Sequence, residues 1–272
     1  MSKSEVKELR KMQKELCDQL VTDVDELDRI IERQLSCREG FYNYSIGNIL
    51  LADKQLYART GETTELLAGY NAWQKHGRFV RKGQKSLKIL APRIWKKEDE
   101  ESGEIEEILY FVKVNVWDLS MTDGDPMEES LVVNRGTITF DDILERSPVK
   151  IKMSNKQLTR GSTDGTVIKI SSWIPDDQKV AVFFHEYIHY LCHFTEKGKR
   201  LSTSVKETMA EAGSYYLCRY CNVTNSESAA YIRSWNKEHA IEDLEGQGSK
   251  IISTCEKIIK QMKLHDFIGT KE

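Results

Sequence analysis

Three of the chain's six histidines fall within nine residues of the stretch VAVFFHEYIHYLCH, Val180–His193, and a glutamate follows the first of them. On a helix, residues four apart share a face and lie about 6 Å apart. His185 and His189 can then turn one ring nitrogen each toward a single ion about 2 Å away. Glu186 lies about 100° round the helix from His185, so it misses the ion yet reaches a water beside it. Two ligands and one base in this order form the HExxH arrangement of zinc hydrolases. The chemistry is metal-assisted hydrolysis, an amide bond foremost, with Glu186 as general base. The plainer reading is a core helix whose histidines are satisfied by backbone or carboxylate partners.

Zinc needs a third protein ligand. His193 shares the face, but eight residues of helix put it about 12 Å from His185 along the axis, too far for one ion. It is read as a supporting or structural residue. The longer HExxHxxGxxH pattern is absent. The stretch SVKETMAEAGSYYLCRYC offers Glu207 and Glu211, four apart, among the small residues Ala210, Ala212, Gly213 and Ser214, which permit close helix packing. Glu207 is assigned as the ligand and Glu211 as the acceptor of a ligand histidine's free N–H; the swapped assignment stays open. Tyr187, Tyr215 and Tyr216 are candidates for steadying an oxyanion, and nothing in the sequence chooses among them. Cys218-x-x-Cys221 lacks a partner pair and is read chiefly as core packing.

A second constellation lies upstream. From Leu66 to Lys97 there is no acidic residue, while Lys75, Arg78, Arg81, Lys82, Lys85, Lys88, Arg93, Lys96 and Lys97 carry positive charge. Tyr70, Trp73, Phe79 and Trp95 are interleaved with them. Cations that track phosphates and rings that stack on bases are what single-stranded nucleic acid requires. Tyr70, Trp73, Lys75, Arg78, Arg81, Lys82 and Lys85 are the candidate DNA contacts. An equal alternative is a solvated basic face with Trp73 and Trp95 in the core.

Elements must position these groups. Pro175, Asp176 and Asp177 predict the start of a helix that runs to about Phe194. The loop TEKGKRLSTS lets a second helix turn back along it. Residues 4–35 have apolar positions at helical spacing, with a break near Thr22. YSIGNILLADKQLYART and ETTELLAGYNAWQKHG read as helical, the latter stopped by Gly77. SLKILAPRIWKK and EEILYFVKVNVWDLS read as strands joined through the acidic tip EDEESGEIEE. VKIKMSN and GTVIKISS predict a short strand pair. The fold class is α+β: an N-terminal α+β DNA-binding domain, residues 1–125, and a mostly helical zincin-like domain with a short sheet, residues 136–272. Turn-rich residues 122–136 connect them.

At 272 residues, 39% hydrophobic and 31% charged, the chain has ample material for a core. Its net charge of −3 gives no global attraction to nucleic acid, so any such binding depends on segregated charge. No apolar run approaches the ~20 residues of a membrane helix. The charged opening MSKSEVKELRKMQKEL has no signal-peptide core, which predicts a cytoplasmic protein with no membrane partner and its six cysteines as thiols.

Several stretches resemble ArdC-type antirestriction proteins of plasmids and other conjugative elements. YSIGNILLA, LAGYNAWQKHGRFVRKGQKSLKILAPR and FVKVNVWDLSMTDG resemble their N-terminal domain. FFHEYIHYLCHF with KRLSTSVKETMAEAGSYYLC resembles the zinc metallopeptidase domain that follows, and SAAYIRSWN with IISTCEKIIKQM resembles the family's end. The resemblance spans roughly residues 40–265; the first forty residues depart from it, lacking a tryptophan-proline element. It implies Zn2+ on His185, His189 and Glu207, Glu186 as base, single-stranded DNA as partner, and a role against host restriction. Two other functions remain open: a DNA-coating protein whose zinc is structural or vestigial, and a regulatory metalloprotease that cleaves a repressor.

Overall fold

Two helices replace the long amphipathic segment at the start of the chain. Helix α1, Lys3–Leu20, ends where the Thr22 hydroxyl donates to the Gln19 carbonyl at 2.8 Å. Helix α2, Val24–Leu35, begins at Asp23, whose carboxylate accepts the Glu26 N–H at 3.1 Å and so satisfies a donor of the first turn. The structure, a computed structural model, describes residues 3–35, 44–98, 105–127, 133–155, 159–238, 244 and 246–270. The acidic hairpin tip, residues 99–104, and the middle of the expected linker, residues 128–132, lie outside them.

The architecture is α+β, and the chain divides into two compact units. One comprises Met1–Leu16 and Cys37–Glu129; the other comprises Cys17–Ser36 and Ser130–Glu272. The segment Cys17–Ser36 therefore groups with the second unit, whereas the sequence placed it in a first domain of residues 1–125. Long-range bonds account for this. The Asp18 carboxylate accepts the N–H groups of Gly246 and Gly248. Asp28 accepts from the Tyr215 hydroxyl at 3.0 Å and the Arg219 Nε at 2.8 Å.

The first unit continues with α3 (Ile46–Thr60), β1 (Leu67–Ala68), α4 (Tyr70–Lys75), β2 (Arg78–Val80), β3 (Leu87–Glu98), β4 (Ile105–Asp118) and β5 (Thr122–Gly124). The expected helix ETTELLAGYNAWQKHG shrinks to the six residues of α4, because Leu67 and Ala68 pair with β4 instead. Strands β3 and β4 form an antiparallel hairpin in register from Leu87↔Val116 to Glu98↔Ile105. Sheet order is β1-β4-β3, so β3 is an edge. Helix α3 covers that edge with side-chain amides. Asn48 exchanges hydrogen bonds with the Leu90 backbone and Gln55 with the Lys88 backbone, all between 2.8 and 3.0 Å. Edge groups that would otherwise invite another strand are thereby occupied. Leu56, Leu67, Leu87, Ile89, Val116 and Met121 form the core beneath.

The second unit adds β6 (Val133–Arg135), α5 (Phe140–Arg146), β7 (Ile151–Ser154), β8 (Gly161–Thr163), β9 (Ile168–Ser171), α6 (Asp176–Cys192), α7 (Glu196–Lys199), α8 (Thr203–Tyr220), α9 (Ser226–Glu238), α10 (Gln247–Gln261) and β10 (Ile268–Thr270). The predicted strand pair is β7 and β9, which run parallel, with β8 antiparallel on the other side of β9. Helix α6 packs against β8, β9 and α8. Its first turn holds Asp176 and Asp177, which favour the positive end of the helix dipole, while Pro175 occupies the cap position. Helix α8 starts from Ser202, whose hydroxyl accepts the Val205 N–H at 3.2 Å. Among the described residues no helix is long and apolar enough to cross a membrane.

Candidate metal centre and basic surface

Helix α6 buries Phe183, Phe184 and Ile188, and its His185 and His189 reach toward Glu207 of α8. The two helices come close because Gly213 has no side chain. A Cβ there would lie 2.8 Å from Ile188 Cδ1. The Ser214 hydroxyl next to it donates to the Ala181 carbonyl at 2.9 Å, a direct tie between the helices.

Nearly two turns before Gly213 in α8, Glu207 reaches the histidines. His185 Nε2 and His189 Nε2 are 3.0 Å apart, and the Glu207 carboxylate oxygens lie 3.5 Å from the first and 3.6 Å from the second. Ligands about 2.1 Å from a tetrahedral ion are about 3.4 Å from each other, so the three separations suit one divalent cation. These three residues form the one His/Cys/Asp/Glu cluster of metal-binding spacing among the described residues. The expected convergence of two imidazoles and a carboxylate is present in the geometry.

The outward nitrogens are occupied too. His185 Nδ1 is 3.3 Å from Glu211, and Glu211 accepts in turn from the Ser228 hydroxyl. His189 Nδ1 lies 2.7 Å from His193 Nδ1. Burial disfavours charge on His185, but Glu207 and Glu211 outweigh it and push the imidazole up to about 10. The two histidines hold Glu207 well below the usual carboxylate range. Burial pushes His193 down to about 3, helped by the charge of His189, Lys250 and Lys206.

Glu186 is buried, and burial raises its pKa against the pull of His185 and His189. A Cβ on Gly161 would sit 3.0 Å from Glu186 Oε1, so β8 passes directly beside that carboxylate. The site opens into a cleft of about 540 Å3 whose wall includes Arg160, Gln178, Asn225, Glu227 and Ser228. The back of α6 is dry, as expected, but the cleft wall is polar.

Three sequence candidates go elsewhere. Tyr187 packs its ring on Phe183, Tyr215 bonds Asp28, and Tyr216 donates to Gln34 at 2.7 Å, so none of them lines the cleft. Cys218 and Cys221 are fully buried, with the Cys218 thiol pushed up to about 12 by burial, as core residues should be. Gly161 and Ser228 carry no signal in the sequence; both reach the site through tertiary contacts that leave no local pattern.

On the first unit, Tyr70, Lys75, Arg81, Lys82 and Lys85 are exposed around α4 and β2, with Arg78 half-buried. Trp73 is the exception. It is fully buried and its indole N–H donates to the Trp117 carbonyl at 3.1 Å. It has no face open to a base, which removes it from the candidate DNA contacts. Trp95 has the opposite fate, with 55% of its surface exposed, and Phe79 is 54% exposed. Arg78 donates to Thr122 Oγ1 at 2.9 Å and to the Asp125 carbonyl, and Arg81 donates to the Ser120 carbonyl. These two arginines hold the β2–β5 pair together as well as presenting charge.

Residues 11–117 match a family described as the N-terminal domain of anti-restriction factor ArdC. No curated protein matches the sequence. Among solved structures, the metal-free crystal structure of the antirestriction protein ArdC from plasmid R388 aligns with a TM-score of 0.51 at 20% identity, covering 89% of this chain and 97% of that one. The Mn(II)-bound structure of the same R388 protein aligns with a TM-score of 0.51 at 21% identity, covering 90% and 96%. At that identity the likeness is one of fold.

Proposed function

We propose that this chain, which matches the ArdC N-terminal domain over residues 11–117 and shares the fold of the R388 protein, serves antirestriction by joining a single-stranded-DNA-binding surface to a zinc-dependent hydrolase centre. The observation that carries the second half is the approach of His185, His189 and Glu207 to within 4.8 Å of one another, with Glu186 beside them. Two imidazoles and one glutamate are the donor set of catalytic zinc in several hydrolases. Manganese, found in the R388 relative, is accepted by the same kind of donors.

When bound, the ion supplies Lewis acidity toward a carbonyl oxygen and an attacking water. Glu186, whose pKa burial raises, takes the proton of that water and returns it to the leaving group. Glu211 orients His185, and Ser228 orients Glu211. The edge strand β8 and the polar cleft wall would hold an extended peptide against Glu186.

Tyr70, Phe79, Lys75, Arg78, Arg81, Lys82 and Lys85 support the nucleic-acid half. They place cations and open ring faces together, the combination that tracks phosphates and stacks bases.

Metal analysis tests the centre. The purified protein should carry about one zinc per chain, and the His185→Ala/His189→Ala variant should carry almost none. Equal, negligible zinc in both ends the reading. For the DNA surface, Lys75, Lys82 and Lys85 are the informative positions, because Arg78 and Arg81 also hold backbone carbonyls. Neutralising the three lysines should weaken oligonucleotide binding and flatten its salt dependence by about 0.7 for each phosphate no longer neutralised. Unchanged affinity and slope would move the DNA surface elsewhere.

A further inference from the structure

The His189–His193 pair is the part of the centre that the proposed hydrolase does not yet explain. His193 stands one helical turn beyond His189, at the end of α6, where its backbone N–H donates to the His189 carbonyl at 2.9 Å. Its ring meets the His189 ring edge-on, at 68° and 4.7 Å between centroids. The two Nδ1 atoms are 2.7 Å apart, which requires a proton on one and a lone pair on the other.

The other ring nitrogen is informative. His193 Nε2 is buried and has no hydrogen-bond partner among the described residues. A histidine retained for its own packing bonds would use both nitrogens or lie open to water. Here the bond to His189 is the one the ring makes. A Cβ on Gly198 would lie 2.0 Å from the Cys192 carbonyl oxygen and 2.8 Å from His193 Cα, so α7 packs closely on this corner of α6.

We propose that His193 is the positioning residue of His189: its Nδ1 lone pair accepts the His189 Nδ1–H and thereby keeps the His189 Nε2 lone pair turned to the point shared with His185 and Glu207. This rests on the metal reading above. The reverse proton placement would put an N–H on His189 Nε2 and block it as a ligand. The two ligand histidines are thus held by different chemistry. His185 leans on the Glu211 carboxylate, whereas His189 leans on a neutral ring. Glu186, Glu207 and Glu211 already gather three carboxylates round this point. A further carboxylate in place of His193 would add to that negative charge. An imidazole supplies orientation without charge.

The test compares His193→Phe, which keeps an aromatic ring and removes the acceptor, with His193→Asn, whose side-chain amide oxygen can stand near the place of Nδ1. Zinc affinity is measured on the full chain by competition with a chromophoric chelator. Loss of an outer hydrogen-bond partner typically costs 10–100-fold in metal affinity, so His193→Phe should weaken zinc binding by about that factor and His193→Asn should recover most of it. Nitrogen-15 NMR of the zinc-loaded protein reads the proton directly. His193 should be the Nε2–H tautomer, and the His189 Nδ1–H proton should be shifted downfield. Equal zinc affinity in wild type and His193→Phe, His193→Asn as weak as His193→Phe, or a proton on His193 Nδ1 would each overturn the proposal. If His193→Phe does not fold, the asparagine variant and the tautomer still decide. If His185→Ala/His189→Ala binds zinc as tightly as wild type, the metal reading itself has failed, a result distinct from a change seen at His193 alone.

Discussion

Each ionisable side chain of the centre is set by its neighbours rather than by its own type. Glu207 and Glu211 are both helix glutamates one turn apart, yet one faces two histidine Nε2 atoms and the other holds a histidine Nδ1. Without metal, the imidazole of His185 carries a proton between these two carboxylates up to about pH 10. A raised histidine pKa stabilises the metal-free fold fully below the ordinary value near 6.5, and that contribution fades as pH rises through 10. The same proton must leave when a cation binds. Zinc affinity should therefore rise with pH, by about tenfold per unit for each proton displaced, across pH 7–9. Calorimetry in buffers of differing ionisation heat would count the protons, and an affinity flat across that range would contradict the proton's placement. Replacing Glu186 by Gln removes the base without touching the three converging atoms. Turnover of a peptide substrate should fall by roughly 10²–10⁴-fold while zinc content stays at wild-type level. Retained turnover would assign the base to another group.

Between elements, the centre depends on two close approaches. Helix α8 nears α6 at Gly213, and β8 nears α6 at Gly161, where an added Cβ would meet Val182 Cγ1 at 2.6 Å and Glu186 Cγ at 2.9 Å. Val182 is β-branched and stiff on its helix, so the strand must give way. Gly161→Ala should cost about 1–3 kcal/mol of stability, as overpacking does, seen as a lower thermal midpoint. It should also lower turnover more than zinc affinity, because β8 borders the base and supplies no ligand. A loss of zinc affinity as large as the loss of turnover would mean that β8 supports the metal site rather than the substrate wall. Helix α2 is held to α8 by Asp28, which receives both Tyr215 and Arg219. That explains why a segment near the start of the chain belongs to the unit at its end.

Across the whole molecule, charge is divided rather than absent. A net of −3 conceals a run, Leu66–Lys97, with nine lysines and arginines and no carboxylate. Binding through such a surface is dominated by counterion release, so affinity for single-stranded DNA should fall linearly in log–log form with salt. Salt-independent binding would point to a surface other than this one.

The sequence by itself determined the chemistry that a single helix can encode. HExxH puts His185, Glu186 and His189 at fixed angles by helical geometry alone, and the Glu207–Glu211 spacing offers two carboxylates on one face of another helix. The β3–β4 hairpin was legible because two stretches rich in strand-forming residues, with Leu87, Ile89, Leu90, Ile94 and Trp95 in one and Ile108, Tyr110, Val112, Val114 and Val116 in the other, flank one acidic turn. Tertiary structure alone decided which groups those residues meet: that Glu211 and Ser228 hold His185, that Gly161 walls Glu186, that β7 and β9 run parallel, that Trp73 is core and Trp95 is surface. Local spacing fixes direction along one element, whereas burial and hydrogen-bond partners depend on elements distant in sequence, and a period of 2 or 3.6 residues carries no record of them.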